Sequence, residues 1–155
     1  PGVWRHGDWI EITEHGGVII YGRSDATLKP SGVRIGTAEI YRLVEQMDEI
    51  EDSLVVGQNW ENDVRVVLFV KMAQGHELTD DLKQKIKKTL MTHASPRHVP
   101  AKIIATPAIP YTLNMKKVEI AVKKMIEGKP VLNRDALSNP EALDFYADIK
   151  ELREK

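Results

Sequence analysis

The chain has 155 residues, 22 of them basic and 23 acidic, for a formal net charge of -1. That balance excludes a whole-molecule pull toward nucleic acid or anionic membrane, although a local basic face remains possible. Hydrophobic residues make up 42%, enough for a real core, and the absence of cysteine excludes disulfides and thiolate metal sites. The last point fits a reducing compartment, so a cytoplasmic location is expected, with no membrane and no nucleic-acid partner. No apolar run approaches the roughly 20 residues that cross a bilayer.

The chain opens on Pro1, and "PGVWRHGDW" has the character of mid-chain sequence, so a piece of a larger protein is expected. Val18–Tyr21 reads as a strand between glycine marks. "TLKPSGVRIG" reads as a short hairpin, with Pro30, Ser31 and Gly32 supplying turn chemistry. From Thr37, a plausible N-cap, the period changes: Ile40, Leu43, Val44 and Met47 fall on one helical face.

Ser53–Gln58 and Val64–Lys71 are β-rich, joined by "NWEND". The second is a nearly continuous apolar run, which predicts burial on both faces. Thr79 is expected to cap a helix with Asp80 and Asp81 in its first turn. Leu82, Ile86 and Leu90 mark its buried side, and Lys83, Lys85, Lys87 and Lys88 leave the rest basic. "SPRHVP" ends it, and "AKIIAT" is a further strand. Val118, Ala121, Val122 and Met125 form another helical face, closed by Gly128 and Pro130. A tail helix is expected after Asn139 as cap and Pro140 at the first helical position. The fold class is therefore α+β: a small mixed or antiparallel sheet of about three strands flanked by helices and preceded by a short hairpin.

Several chemical templates are missing. There is no G-x-G-x-x-G, Walker loop, H-E-x-x-H or G-x-S-x-G. His6, His15, His76, His93 and His98 show no helical metal-pair spacing, so they read as surface or locally bonded residues and no metal site is expected. Three stretches stand out: "WRHGDW", "GRSDATLKPSGVRIGTAEI" and "IPYTLNMKK". In that order, and over essentially the whole chain, they resemble the C-terminal motifs of the adenylate-forming superfamily, which includes acyl-CoA synthetases, adenylation domains and luciferases. "GTAEIYRLVE", "IPYTLNMKKVEIAVKK" and the tail "LSNPEALDFYADI" look most like the branch that activates acetoacetate, with acetate- and propionate-activating enzymes as close rivals.

The resemblance implies roles, each beside a plainer alternative. Asp8 matches the aspartate that accepts hydrogen bonds from the ATP ribose, a job that suits two acceptor oxygens; otherwise it is a turn or capping residue. Arg23 matches an arginine near ribose and phosphates, and Arg34 one on the thioester-forming side; either could be a surface ion pair. Asp25 matches the hinge about which a small domain swings. Gly32 matches a glycine near the pantetheine path, where the lack of a Cβ permits close approach. Lys87 falls near a residue that contacts CoA phosphates, or simply solvates a helix. Residues 1–25 would be the end of a large N-terminal domain up to the hinge, and 26–155 a mobile lid.

The family pattern P-K-T-x-S-G-K, laid on "PYTLNMK", matches Pro110 and Thr112 and ends on Lys116 as the catalytic lysine. Asn114-Met115 replaces Ser-Gly, and Tyr111 replaces the usual lysine. Glycine takes positive φ cheaply and methionine does not, so Asn114 is the residue expected to take over part of that role. Lys117 reads as an ordinary helix-start residue. The resemblance implies an acid–CoA ligase using ATP and coenzyme A, with Mg2+ held mainly by the N-terminal domain. The isolated chain is expected to be inactive. A stand-alone module that binds a nucleotide or a partner surface through its basic helix stays open as the alternative from another class.

Overall fold

The computed structural model describes residues 7–23 and 26–155. β1 (Asp8–Ile12) and β2 (Val18–Arg23) form a separate antiparallel pair. The main sheet has the order β3-β4-β5, with β3 spanning Ile50–Trp60, β4 Asp63–Met72 and β5 Lys102–Ala105. β3 and β4 are antiparallel, whereas β4 and β5 are parallel. A parallel neighbour needs a crossover, and α2 (Asp80–His93) lies within it. Glu61 and Asn62 link β3 to β4, both with positive φ. A two-residue turn of that kind follows the right-handed twist of the strands it joins.

β4 is the middle strand, and its alternation divides the interior. Val66, Leu68 and Val70 join one cluster with Ile40, Leu43, Val44 and Met47 around α1 (Thr37–Val44) and with Leu82, Ile86 and Leu90 of α2. Val67 and Phe69 join the other with Val122 of α3 (Glu119–Ile126), Leu143 and Tyr146. Successive residues of a strand point to opposite faces, so one apolar run fills two cores. The burial on both faces expected from the sequence is met.

Three details differ from expectation. Gly36 is the N-cap of α1, and Thr37 is its buried first residue. The stretch Lys29–Arg34 is a tight 3-10 turn over Pro30–Gly32, closed by one bridge between Leu28 and Ile35, so it is a pinned loop rather than a full hairpin. The tail is a run of 3-10 turns (Pro140–Ala147). Asn139 does not cap that run, because both ends of its side chain are spent elsewhere, on Tyr111 and Ile109. Thr79 does cap α2 as expected, its hydroxyl accepting from the Leu82 N–H at 3.2 Å.

Phe69 is fully buried and meets Tyr146 edge to face, with ring centroids 4.8 Å apart. Replacing it by alanine removes that ring and leaves a cavity under the tail. Phe69→Ala should cost about 3–5 kcal/mol in urea unfolding, and a loss below 1 kcal/mol would contradict the packing described here.

Candidate functional site

The segment Ile109–Lys117 crosses from β5 toward α3 and is held to the tail at its entry and to the sheet at its exit. Asn139 clamps its entry: Oδ1 accepts from the Tyr111 N–H at 2.9 Å, and Nδ2 donates to the Ile109 carbonyl at 2.9 Å. The Ser138 N–H donates to the Tyr111 carbonyl at 2.9 Å, and the Leu113 N–H to the Ala136 carbonyl at 3.0 Å. The segment then reverses. The Thr112 N–H donates to the Lys116 carbonyl at 2.8 Å and the Met115 N–H to the Thr112 carbonyl at 2.9 Å. The Thr112 hydroxyl accepts from the Lys116 N–H at 3.1 Å. Met115 sits at φ 60.

The same turn occurs a second time. At the tip of the first hairpin, Thr13 donates from N–H to the Gly17 carbonyl at 2.8 Å, and Gly16 donates to the Thr13 carbonyl at 2.9 Å. The Thr13 hydroxyl accepts from the Gly17 N–H at 2.9 Å, and Gly16 has φ +77. The five positions correspond one for one, with threonine first and the left-handed residue fourth. There the fourth residue is glycine; in the lysine turn it is Met115. The expectation that Asn114 takes the left-handed conformation is therefore corrected. The hydrogen-bond pattern requires it one residue later, and the chain accepts the strain of a methionine there.

Lys116 lies exposed at the exit of this turn, which also carries the exposed side chains of Leu113 and Met115. Among the described residues nothing pairs with its ammonium. Lys117 is different. Tyr111 and Lys117 face each other in a bridge, and adjacent residues of extended chain point to opposite sides, so Lys117 turns inward. Its side chain is only 16% exposed. The ammonium donates to the Glu45 carboxylate and, at 2.7 Å, to the Ser53 carbonyl. It lies 3.1 Å from Oδ1 of Asp52 and 3.8 Å from the centre of the Tyr41 ring. The reading of Lys117 as an ordinary helix-start residue is thus overturned.

Tyr111 completes the arrangement by donating its hydroxyl to Oδ2 of Asp52. Burial, and then this bond to a carboxylate, push the Tyr111 phenol well above its ordinary range. Burial raises the Asp52 carboxyl, but the Tyr111 hydroxyl, the Lys117 ammonium and the Ser53 N–H outweigh it, and its pKa is lowered. Tyr41 is pushed up by burial and by Glu119, to which it donates at 2.9 Å. Sequence reasoning missed Glu45, Asp52, Lys117 and Asn139. The one local signal was the pair of adjacent lysines in extended chain, only one of which can face solvent.

The other predicted residues lie apart. Asp8 and Arg23 are register partners in β1 and β2. Arg34 lines a cleft of about 870 Å³ between that hairpin, α1 and the end of α2, with Arg42 and His98. His98 is held by Ser95 at 2.6 Å through Nδ1, and burial lowers its pKa. Gly32 has φ +78 with open space beside its Cα, so its turn needs glycine whatever its other role. Ser31 ties that turn to Asp63 through its N–H and hydroxyl, at 2.9 and 3.2 Å. Lys87 lines a different cleft of about 740 Å³ with Lys83, Lys102 and Lys150. Lys116 lines a third, of about 380 Å³, with Lys124 and Asn133. Asp25, the expected hinge, lies outside the described residues. Among the described residues no three acidic or histidine side chains converge as a metal site requires. No described helix is long and apolar enough to cross a membrane.

A three-stranded mixed sheet with helices on its faces is the fold that this chain shares with the C-terminal domains of adenylate-forming enzymes. The chain matches the C-terminal part of acyl-CoA synthetases of that superfamily. Within them it is similar to acetoacetyl-CoA synthetases. It is 60% identical over 151 residues to that of Rhizobium meliloti (strain 1021), covering 97% of this chain and 23% of the relative. It is 54% identical over 156 residues to the enzyme of Rattus norvegicus, covering 99% and 23%. The solved acetoacetyl-CoA synthetase from Streptomyces lividans superimposes with a TM-score of 0.88 at 44% identity, over 99% of this chain and 23% of that one. The chain thus spans about a quarter of the length of these relatives. No family model matches it.

Two predictions follow from the turn and its anchor. Met115→Gly relieves a left-handed methionine and should stabilise the chain by about 1 kcal/mol, read as a rise of about 2–4 °C in Tm; a fall would show that the methionine is not strained. For Asp52 the folded pKa lies below the ordinary 3.8. Its contribution is therefore complete above that value and is lost as pH falls through the lowered one. The Tm gap between wild type and Asp52→Asn should be widest near pH 6–7 and shrink below about pH 4; a gap independent of pH would contradict it.

Proposed function

We propose that this chain is the mobile lid of an ATP-dependent acid–CoA ligase, most simply one that joins acetoacetate to coenzyme A through an acyl-adenylate, releasing AMP and pyrophosphate. The observation that carries the reading is Lys116: an ammonium with no partner among the described residues, at the exit of a firmly pinned turn and on the last position of the family's lysine motif. The similarity to acetoacetyl-CoA synthetases from bacteria and mammals supports acetoacetate as the acid.

In this reading residues 1–25 end the large domain, Asp25 is the hinge and 26–155 form the lid. Lys116 would bring one positive charge to the point where the substrate carboxylate meets the α-phosphate, holding both anions in line and countering the charge that develops at phosphorus. Exposed Leu113 and Met115 would enter with it and help exclude water. Asp8 and Arg23, paired across β1 and β2, would serve the ribose and phosphates of ATP. After rotation of the lid, the pinned turn at Gly32 and the guanidinium of Arg34 would face the adenylate and the incoming thiol. Lys87, beside three other lysines in its cleft, would meet the phosphates of coenzyme A. Mg2+ would accompany ATP and be held outside this chain. The site of action would be the cytoplasm.

The test uses the full-length ligase. Lys116→Ala should cut acetoacetate-dependent pyrophosphate exchange by about 100-fold or more, while thioester formation from supplied adenylate largely survives. The 155-residue chain alone should release no pyrophosphate from ATP. Equal loss of both half-reactions, or of neither, rejects the role of Lys116, and robust turnover by the chain alone rejects the lid.

A further inference from the structure

Lys116 does its work only if its backbone is held still, because a side chain with four rotatable bonds adds freedom of its own. The turn supplies part of the rigidity. What fixes the turn to the body of the domain lies one residue further on. The Tyr111–Lys117 bridge closes the base of the turn, and both of its side chains run inward to the same carboxylate. Lys117 meets Asp52 at Oδ1, and Tyr111 meets it at Oδ2. Asp52 is itself held by the Ser53 N–H at 2.8 Å. Lys117 also reaches Glu45, just past α1, and the Ser53 carbonyl on β3. Glu45 in turn accepts from the Ser53 hydroxyl at 2.8 Å. The Tyr41 ring lies against the ammonium, and its hydroxyl accepts from the Val55 N–H at 3.1 Å.

We propose that Lys117 and Tyr111 are positioning residues: they lock the two legs of the lysine turn to Asp52 on β3, and so set where Lys116 is presented during adenylate formation. The proposal rests on the role assigned to Lys116 above. It follows from connectivity. The bonds from Asn139, Ser138 and Ala136 hold the entry leg and the start of the turn to the tail. The contacts of Lys117 hold the exit leg to the sheet, in the residue that follows Lys116. An ammonium this enclosed is also costly to leave unmatched, so the lysine has one arrangement in which its donors are satisfied. Removing it frees the exit leg while the fold keeps both apolar clusters, to which Lys117 does not belong.

The experiment measures both half-reactions and Tm in the full-length ligase, for Lys117→Met, Tyr111→Phe, Lys116→Ala and the Lys116→Ala/Lys117→Met double variant. Lys117→Met should lower kcat of pyrophosphate exchange about 10-fold or more with little change in KM, and thioester formation from supplied adenylate should stay within about 2-fold. The double variant should be no slower in exchange than Lys116→Ala alone, because a positioning residue has nothing left to position. Tyr111→Phe removes one hydroxyl and keeps the ring, and should slow exchange about 3-fold. It carries the test if Lys117→Met fails to fold. An equal fall in both half-reactions overturns the proposal in favour of a purely structural role. So does an unchanged exchange rate in Lys117→Met, or in Tyr111→Phe where only that variant folds. Those outcomes differ from failure of the underlying reading, which would appear as undiminished exchange in Lys116→Ala itself.

Discussion

An ammonium enclosed by two carboxylates, a carbonyl and an aromatic face is the constraint on which the lysine turn depends. Lys117 ties the approach to α3 to the end of α1 and the start of β3, which lie 72 and 64 residues earlier in the chain. A cation removed from water to this degree needs its partners in place, and the partners here are themselves fixed by backbone bonds. The result is a rigid base beneath a short exposed turn. Lys116 and Lys117 are neighbours of the same type, yet one is presented outward and the other is consumed inward. The alternation of extended backbone sends the two to opposite sides, and the partners of Lys117 hold it inward.

The sheet provides the frame for that base. β4 has both faces buried, so it sends alternate residues to two separate clusters. One cluster carries α1 and α2, and the other carries α3 and the tail. The lysine turn stands on the second side: its entry leg is strapped to the tail by Asn139, and its exit leg runs into α3. Asn139 illustrates how tertiary bonds displace local rules. Its place before a proline suits a helix cap, but two backbone groups of a distant segment claim its amide instead.

The two matching turns show what local geometry demands and what it tolerates. Both begin with threonine, whose hydroxyl accepts the same amide, and both need a left-handed fourth residue. Glycine meets that need at the hairpin tip. In the lysine turn a methionine does so, at a cost of roughly 1–2 kcal/mol for a side chain in that region. Its side chain, like that of Leu113, is exposed. The candidate residues also fall into separate clefts, with Arg34, Lys87 and Lys116 lining three different ones.

The apolar period alone determined much of the fold. The faces of α1, α2 and α3 and the double burial of β4 follow from residue spacing, because a helix repeats every 3.6 residues and a strand every two. Thr79 was legible as a cap, and Lys116 as the end of a known motif. Tertiary structure decided what spacing does not encode. It buried Lys117, because Glu45, Asp52 and Ser53 come to it from distant elements. It moved the left-handed residue from Asn114 to Met115, because the register of the turn is set by its closing hydrogen bonds. It also drew Asn139 away from capping. In each case a polar group had a local option and a better partner across the fold, and partners of that kind exist only once the chain has packed.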